Sequence, residues 1–491
     1  MGTINSAFGL ISGALDADQA ALNVVANNVA NANTPGYTEE TPDWQENSPI
    51  TVNGITIGQG VTETGSTSQR DRVLEERLDQ QQQLASSSST RLGSLNQMQA
   101  LFTPDSGSSG STAGDIGGDI TSFFDSFSSL ESDPTNNALR ESVLSSASTL
   151  AGDISSAAAS LNSQASAIDQ DATGVAGQVN SLTSALAQVN QQIESTSPNA
   201  DAGTLEDQRQ QDLSQLSQLI GINQVTTSNN GLEITTTSGQ LLVSGSQSYQ
   251  LTAGTVNGAT DFFLGGNDIT AGLTTGGGQL GGYLTARNQD IPAALSSLDQ
   301  LAYSISTQVN AQNNAGTDAD GATGAPVVAS TTGAMTLDIF SPPPTYAANL
   351  ASAGTSVTGA AAAMSVVMTD PNQIAAAGLA DGTGDNSNAI AMAALASGQI
   401  VSGQTPTDYY SNFVTTLGST VSEVQTENTA QTASVTQLQT QNNAVSSVNL
   451  NDEAAAMSTL ESSYQAASQV FNMLNTVITS ALNLGLETTV S

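Results

Sequence analysis

Two short motifs in this 491-residue chain have the residue types and spacing of ligand sites. Gly276, Gly278 and Gly281 satisfy a GxGxxG pattern, which in a dinucleotide-binding fold lets a pyrophosphate approach a helix N-terminus. Asp318–Gly321 has the Asp-x-Asp-Gly spacing that opens a calcium loop. Each motif lacks the surroundings that its ligand site needs, since no βαβ pattern surrounds the glycines and no Glu closes a twelve-residue loop. We therefore predict a strand-to-helix return and a turn, with no cofactor and no metal site.

The composition removes most catalytic chemistry. The chain has no Cys, no His and no Lys, so thiolate nucleophiles, His-based metal sites, Ser-His pairs, Schiff bases and Walker-type phosphate loops are excluded. The 44 Asp and Glu could act as acids or bases, but their spacing singles out no pair. We predict that the protein is not an enzyme.

Seven Arg against these carboxylates give a formal net charge of −37. Nucleic acids and anionic membranes bind basic residues, and no stretch approaches the length of a membrane span, so we predict no nucleic-acid partner and no membrane insertion. The first residues lack the basic and apolar segments of a Sec signal. Dispersed carboxylates favour solubility in an acidic or salty medium over recognition of one basic partner.

Apolar residues recur at three-four spacing at both ends of the chain. The N-terminal stripe comprises Ile4, Phe8, Ile11, Leu15, Leu22, Val25 and Val29. The C-terminal stripe comprises Met457, Leu460, Tyr464, Phe471, Leu474 and Ile478. One such stripe is typical of the core face of a helical domain, but a single pair of helices at the chain ends has little core. We predict that the stripes are an assembly interface, uncovered within one chain.

A turn motif ends the first stripe, where Pro35 cannot continue a helix and Gly36 tolerates positive φ. The segment Ala20–Tyr37 resembles the N-terminal signature of flagellar rod, hook and hook-associated proteins, and Val448–Val470 resembles the matching C-terminal signature. The motif residues of the first segment are Asn27, Asn28, Asn31, Asn33, Thr34, Pro35, Gly36 and Tyr37.

Four interior segments resemble the hook-associated protein 1 family in the same order: Phe123–Leu150, Leu205–Leu251, Gly276–Gly316 and Gly384–Leu395. The resemblance implies an extracellular structural subunit at the hook–filament junction of the bacterial flagellum, exported through the flagellar type III channel. It implies self-association in the junction layer, and as partners the hook protein, a second hook-associated junction protein, flagellin and an export chaperone. Two alternatives stay open: the hook protein itself, and a flagellum-carried hydrolase or adhesin with its site in 325–381.

Between the ends, the pattern predicts a mainly α fold with β-rich outer domains. Arg70–Phe102 is predicted to be a helix in which Arg72 and Glu76 are spaced for an ion pair, and the apolar period shortens after Gly221. We expect a nested multidomain chain, whose terminal helices form a coiled-coil inner domain from 1–40 and 448–491. The other expected parts are a long-helix domain from 41–221, 280–314 and 385–447, a β-rich outer domain from 222–279, and an uncertain β-rich insert from 315–384.

Overall fold

The computed structural model describes residues 2–52, 55–103, 115–197, 201–256, 258–324, 336–343, 357–379 and 381–487. Helices dominate it, as predicted. They are α1 (Gly2–Asn31), α2 (Arg72–Ala100), α3 (Ile116–Leu130), α4 (Asn137–Thr196), α5 (Thr204–Leu219), α6 (Thr270–Thr274), α7 (Gly278–Thr285), α8 (Ile291–Asn314), α9 (Ala360–Ala363), α10 (Ser387–Ala394), α11 (Pro406–Ser446) and α12 (Leu450–Glu487).

The strands form four antiparallel sheets. They are β1 (Glu40–Glu46), β2 (Ile50–Val52), β3 (Ile55–Ile57), β4 (Val61–Ser68), β5 (Ile222–Thr226), β6 (Leu232–Thr236), β7 (Leu241–Ser244), β8 (Gln247–Ser248), β9 (Leu251–Val256), β10 (Ala259–Leu264) and β11 (Asn267–Asp268). The strand orders are β1-β4, β2-β3, β5-β6-β7-β8 and β9-β10-β11.

The 60-residue helix α4 joins two hydrophobic cores. Its first part, up to Ile168, packs in a core with α2, α3, α8, α10 and α11 that includes Phe123, Phe127 and Phe340. From Ala172 onward it packs with α5, α7 and the β5–β11 region. Because an α-helix rises about 1.5 Å per residue, α4 extends over roughly 90 Å. It therefore holds the β-rich region at a fixed distance along the helical body.

The hairpin of β1 and β4 connects α1 to α2. Sequence patterning did not identify these strands, because β4 consists mainly of Thr and Ser and has no apolar alternation. The pairing runs from Glu40 opposite Ser68 to Glu46 opposite Val61, with a register shift at Asp43 and Trp44. The N-terminal helix is thus joined to the helical body by a paired ribbon rather than by a single strand of chain.

The GxGxxG motif forms the return from the β region to α7, as predicted. Gly278 has φ of +69°, and a Cβ on it would lie 2.5 Å from the backbone nitrogen of Ile220. A Cβ on Gly221 would overlap the carbonyl oxygen of Gly276. The glycines therefore serve a close backbone approach, which only a residue without a Cβ allows.

The described part of 315–384 differs from the β-rich insert we predicted. It contains isolated bridges, such as Thr317 with Ala377, and short helical turns, but no named strand. Asp318–Gly321 is the predicted turn, in which the Asp318 carboxylate accepts from the backbone nitrogens of Asp320 and Ala322. Residues 325–335 and 344–356 lie outside the described residues.

Asparagines of α8 take the place of strand partners for these segments. The Asn310 amide oxygen accepts from the backbone nitrogens of Ile339 and Phe340, and its nitrogen donates to the Phe340 carbonyl. Asn313 accepts from the backbone nitrogen of Ala375 in the same manner. A side-chain amide offers the donor and acceptor of a peptide group, so buried asparagines can satisfy an extended segment without a sheet.

Candidate assembly site at the chain termini

The two terminal helices pack against each other. The rings of Phe8 and Phe471 lie with their centroids 4.5 Å apart. The prediction that both stripes are uncovered within one chain is therefore wrong in part. The reason lies in the helical body, where α2 and α11 pack along each other and so bring the two chain ends together.

The predicted stripes are only partly covered by this pairing. Val25 is 4% exposed, whereas Val29 is 39% and Tyr464 37% exposed. The half-buried members are Phe8, Ile11, Leu15, Leu22, Met457, Leu460, Phe471, Leu474 and Ile478. The side chain of Ile4 lies outside the described residues. Apolar surface thus remains available along the helix pair.

The fully buried row of α1 differs from the predicted stripe. It consists of Ala17, Ala21, Val25 and Asn28, which follow one another at intervals of three or four residues. Here α1 packs against both β1 and β4 as well as α12. Alanine permits close approach of backbones but gives a weak apolar signal, so a search for large apolar residues missed this row.

Asn28 is the centre of the joint between the two chain ends. Its side chain is 1% exposed. The amide nitrogen donates to the Glu453 carboxylate at 2.7 Å and to the Glu40 carbonyl at 2.8 Å. The amide oxygen accepts from the Tyr37 hydroxyl at 2.8 Å and from the Glu40 backbone nitrogen at 3.0 Å. A buried amide with all its hydrogen bonds made fixes the geometry of the groups around it.

The other residues of the Asn27–Tyr37 motif form the turn that places Tyr37 beside Asn28. The Asn31 side chain donates to Asn27 and accepts from the Thr34 hydroxyl. Gly36 has φ of +81°, the left-handed region that favours glycine. Asn33 and Pro35 are exposed. Burial, with Glu40 nearby, holds the pKa of Tyr37 well above its usual value, so its hydroxyl stays a hydrogen-bond donor.

Charged groups fasten this turn to the helical body. The Asp207 carboxylate accepts from the Thr38 backbone nitrogen at 3.1 Å and from Arg70 at 2.6 Å. Arg72 pairs with Glu206 at 2.8 Å, and not with Glu76 as its spacing suggested. Glu206 is 1% exposed, and a buried carboxylate needs cations within reach. Local helix spacing could not reveal that need.

The α11–α12 corner is fastened to the same turn. The backbone nitrogen of Glu39 donates to the Ser446 carbonyl at 2.9 Å. Burial raises the pKa of Glu453, while its bond from Asn28 opposes that change. Both chain ends and the helical body therefore meet within a few residues of the Asn-Thr-Pro-Gly-Tyr turn.

Charge is absent from most of the helix pair, although the chain as a whole carries −37. No charged side chain occurs between Ser462 and Leu486, or between Gly2 and Leu15. Beside the α12 stripe lie further exposed apolar residues: Val470 at 41%, Met473 at 59% and Val477 at 53%. Uncharged and apolar surface on an acidic protein is typical of an interface.

The described residues offer no counterpart for metal or membrane chemistry. They contain no group of three His, Cys, Asp or Glu side chains placed to hold a metal ion. Within the same residues, no helix is long and apolar enough to cross a membrane.

The known proteins to which this chain is similar are flagellar proteins. Residues 95–327 match the family described as flagellar hook-associated protein FlgK helical domain, and residues 11–38 match flagella basal body rod protein. Flagellar hook-associated protein 1 of Salmonella typhimurium is 27% identical, with 96% of this chain and 98% of that protein covered. The Escherichia coli protein of that name is 26% identical, with the same shares covered. The solved structure of the flagellar hook junction protein FlgK from Burkholderia pseudomallei has a TM-score of 0.61 and 20% identity, covering 74% of this chain and 99% of that one.

The paired ends and the long-helix body define a structural protein of the bacterial flagellum. Within that class, the relatives matched over 96% of this chain carry the name flagellar hook-associated protein 1, and residues 95–327 match the helical domain of that protein. The hook protein and the hydrolase or adhesin alternatives are not favoured, since full-length relatives carry the hook-associated name.

Proposed function

We propose that this chain joins the hook to the filament as a non-catalytic adaptor assembled through its terminal helix pair. The observation that carries the proposal is the half-covered surface of α1 and α12, which has no charged side chain over Gly2–Leu15 and Ser462–Leu486 in a chain of net charge −37. Copies of such an acidic chain repel one another wherever charges face. Contact through the uncharged segments avoids that repulsion. It also buries apolar surface, which stabilises the contact by about 25 cal/mol for each Å² removed from water.

The proposed arrangement follows the nested order of the chain. The terminal segments 1–40 and 448–491 form the innermost layer, the long helices surround it, and the β-rich region 222–279 lies outermost. The stripe residues Phe8, Leu15, Phe471 and Leu474 hold the helix pair, and their remaining exposed surface contacts neighbouring copies. The joint at Asn28 sets the angle between this layer and the body.

The partners follow from the family. Below the junction is the hook protein, and above it are the second hook-associated junction protein and flagellin; an export chaperone binds the chain before secretion. The extracellular position at the junction and the export through the flagellar type III channel belong to the same proposal. The family matches of residues 11–38 and 95–327 support it.

Leu474→Asp tests the role of the helix pair. A charge in this apolar contact costs several kcal/mol unless it is paired, so we expect the variant to leave hooks without filaments when it replaces the wild-type chain in a deletion strain. Asn472→Asp, at an exposed position of the same helix, should restore filaments. Electron microscopy distinguishes the outcomes, and circular dichroism checks that the helical body remains folded. Normal filaments with the Leu474 variant would contradict the proposal.

A further inference from the structure

Asp79 of α2 is a buried carboxylate without a cationic partner. It is 1% exposed. One oxygen accepts from the side chains of Gln210 at 3.0 Å and Gln224 at 3.4 Å, and the other has no hydrogen-bond partner among the described residues. Burial raises the pKa of Asp79 to about 7. A buried carboxylate in this condition lacks a donor that would stabilise its charge.

A polar groove adjoins Asp79. It has a volume of about 340 Å³ and is lined by Asp79, by Pro35 and Gly36 of the motif turn, by Gln210 of α5, and by Gln439 and Asn442 of α11. The buried amide oxygen of Asn442 also has no partner among the described residues. Two unused acceptors beside one groove indicate a ligand that donates hydrogen bonds.

The cations near this groove already have partners. Arg70 contacts Asp207, Glu206 and Glu75, at 2.6, 3.6 and 3.9 Å. Arg72 and Arg209 both face Glu206. Glu75 and Glu76 of α2 act on Asp79 as like charges, and the facing part of α11, from Asn428 to Ser446, carries no charged side chain. Arg70, Arg72 and Arg209 are therefore engaged by other carboxylates and do not neutralise Asp79.

Arg77 is in the opposite situation to Asp79, since its charged side chain is exposed rather than buried. Of the seven Arg in the chain, the other six contact carboxylates or carbonyls. Arg77 is exposed and has no hydrogen bond or ion pair within the described part of the chain. Val73 and Leu84, 60% and 46% exposed, lie on the same face of α2. Arg77 and Asp79 are two residues apart, which places them on nearly opposite sides of the helix, about 200° apart.

We propose that Arg77 of one copy enters the Asp79 groove of the next copy. Each copy then presents a donor on one side of α2 and an acceptor on the other, so that the contact is head-to-tail and repeats around a closed ring or along a helix. The inference rests on the proposed self-association, and it names a second contact, separate from the terminal helices.

The geometry makes a complementation test possible with the full chain. At pH 8, sedimentation should show that Arg77→Ala and Asp79→Asn each weaken self-association about tenfold or more, the effect of losing a charge-assisted bond. An equal mixture of the two variants should form one-to-one dimers through this contact, without extending it further, because only one intact Arg77–Asp79 contact is possible in each pair. Gln80→Ala, an exposed change beside Arg77, should associate as the wild type does.

The pH supplies an independent readout, because only ionised Asp79 binds the guanidinium well. Association of the wild type should weaken below pH 7, approaching tenfold per pH unit, and that dependence should be absent in Asp79→Asn. Three outcomes would each overturn the pairing. They are unchanged association of either variant, a mixture of the variants that stays monomeric, and a wild type that is monomeric up to about 1 mM. If the Arg77–Asp79 pairing were overturned but Leu474→Asp still abolished filaments, the terminal-helix proposal would remain supported.

Discussion

Replacing Asn28 by Asp is expected to release α12 from α1 and to abolish filament assembly, while the helical body stays folded. The substitution keeps the shape of the side chain but removes both donated bonds, to Glu453 and to the Glu40 carbonyl. A second carboxylate would then face the Glu453 carboxylate in a buried site. Leaving a buried acceptor without its donor costs roughly 1–3 kcal/mol, and more when the acceptor is charged. Amide hydrogen exchange along Leu450–Glu487 would report the release directly.

Two further variants make this prediction specific. Asn27→Asp is the matched control, because Asn27 is exposed and its oxygen accepts a bond from Asn31 that a carboxylate can also accept. Adding Glu453→Gln to Asn28→Asp should restore part of the protection, since the glutamine can donate to the new carboxylate. If Asn28→Asp protected α12 as the wild type does, Asn28 would not be the joint between the chain ends.

The sequence predicted the elements at the chain ends better than it predicted their contacts. Three-four periodicity and the Pro35 turn located α1 and α12, because the period and the stop are local properties of the chain. It did not predict that Asn28 bonds Glu453, since those residues are 425 positions apart. Local patterning also paired Arg72 with Glu76, whereas the structure places the buried Glu206 within reach.

Small and polar residues account for most of the other differences. The buried row of α1 contains Ala17 and Ala21, whose role is to permit close approach rather than to supply apolar area. The segments around Ile339 and Ala375 are satisfied by Asn310 and Asn313 instead of by strands. Periodicity of apolar residues contains no information on such contacts. The sequence could therefore indicate neither these asparagine contacts nor the hairpin of β1 and β4.

Acidic pH is expected to stabilise this protein, and Asp79 should account for a large part of the effect. Its pKa in the folded chain is about 7, against 3.8 for an unperturbed Asp, because burial disfavours the charged form. Between those two pH values, the folded state therefore keeps the Asp79 proton, whereas the unfolded state has released it. The stabilisation is complete below pH 3.8 and is lost as pH rises through 7, a change of roughly 4 kcal/mol in the free energy of unfolding.

Asp119 changes stability in the same direction, since burial and the nearby Asp153 raise its pKa to about 7. Asp201 opposes the trend, because burial raises its pKa but the bonds donated by Ser68 and Gly203 lower it further, and that contribution is lost in acid. Self-repulsion of a chain with net charge −37 also grows as carboxylates ionise. All of these effects except that of Asp201 make the folded chain more stable under mildly acidic conditions.

Asp79→Asn separates the contribution of Asp79 from the rest. The amide resembles the protonated acid, so the variant should match the wild type near pH 4 and exceed its stability at pH 8, by up to about 4 kcal/mol. Urea unfolding of dilute monomer at several pH values measures both quantities. Asp16→Asn, which removes an exposed carboxylate from α1, should leave the pH dependence nearly unchanged. Parallel curves for the wild type and Asp79→Asn would show that Asp79 is ionised in the folded chain, and that its charge is already compensated there.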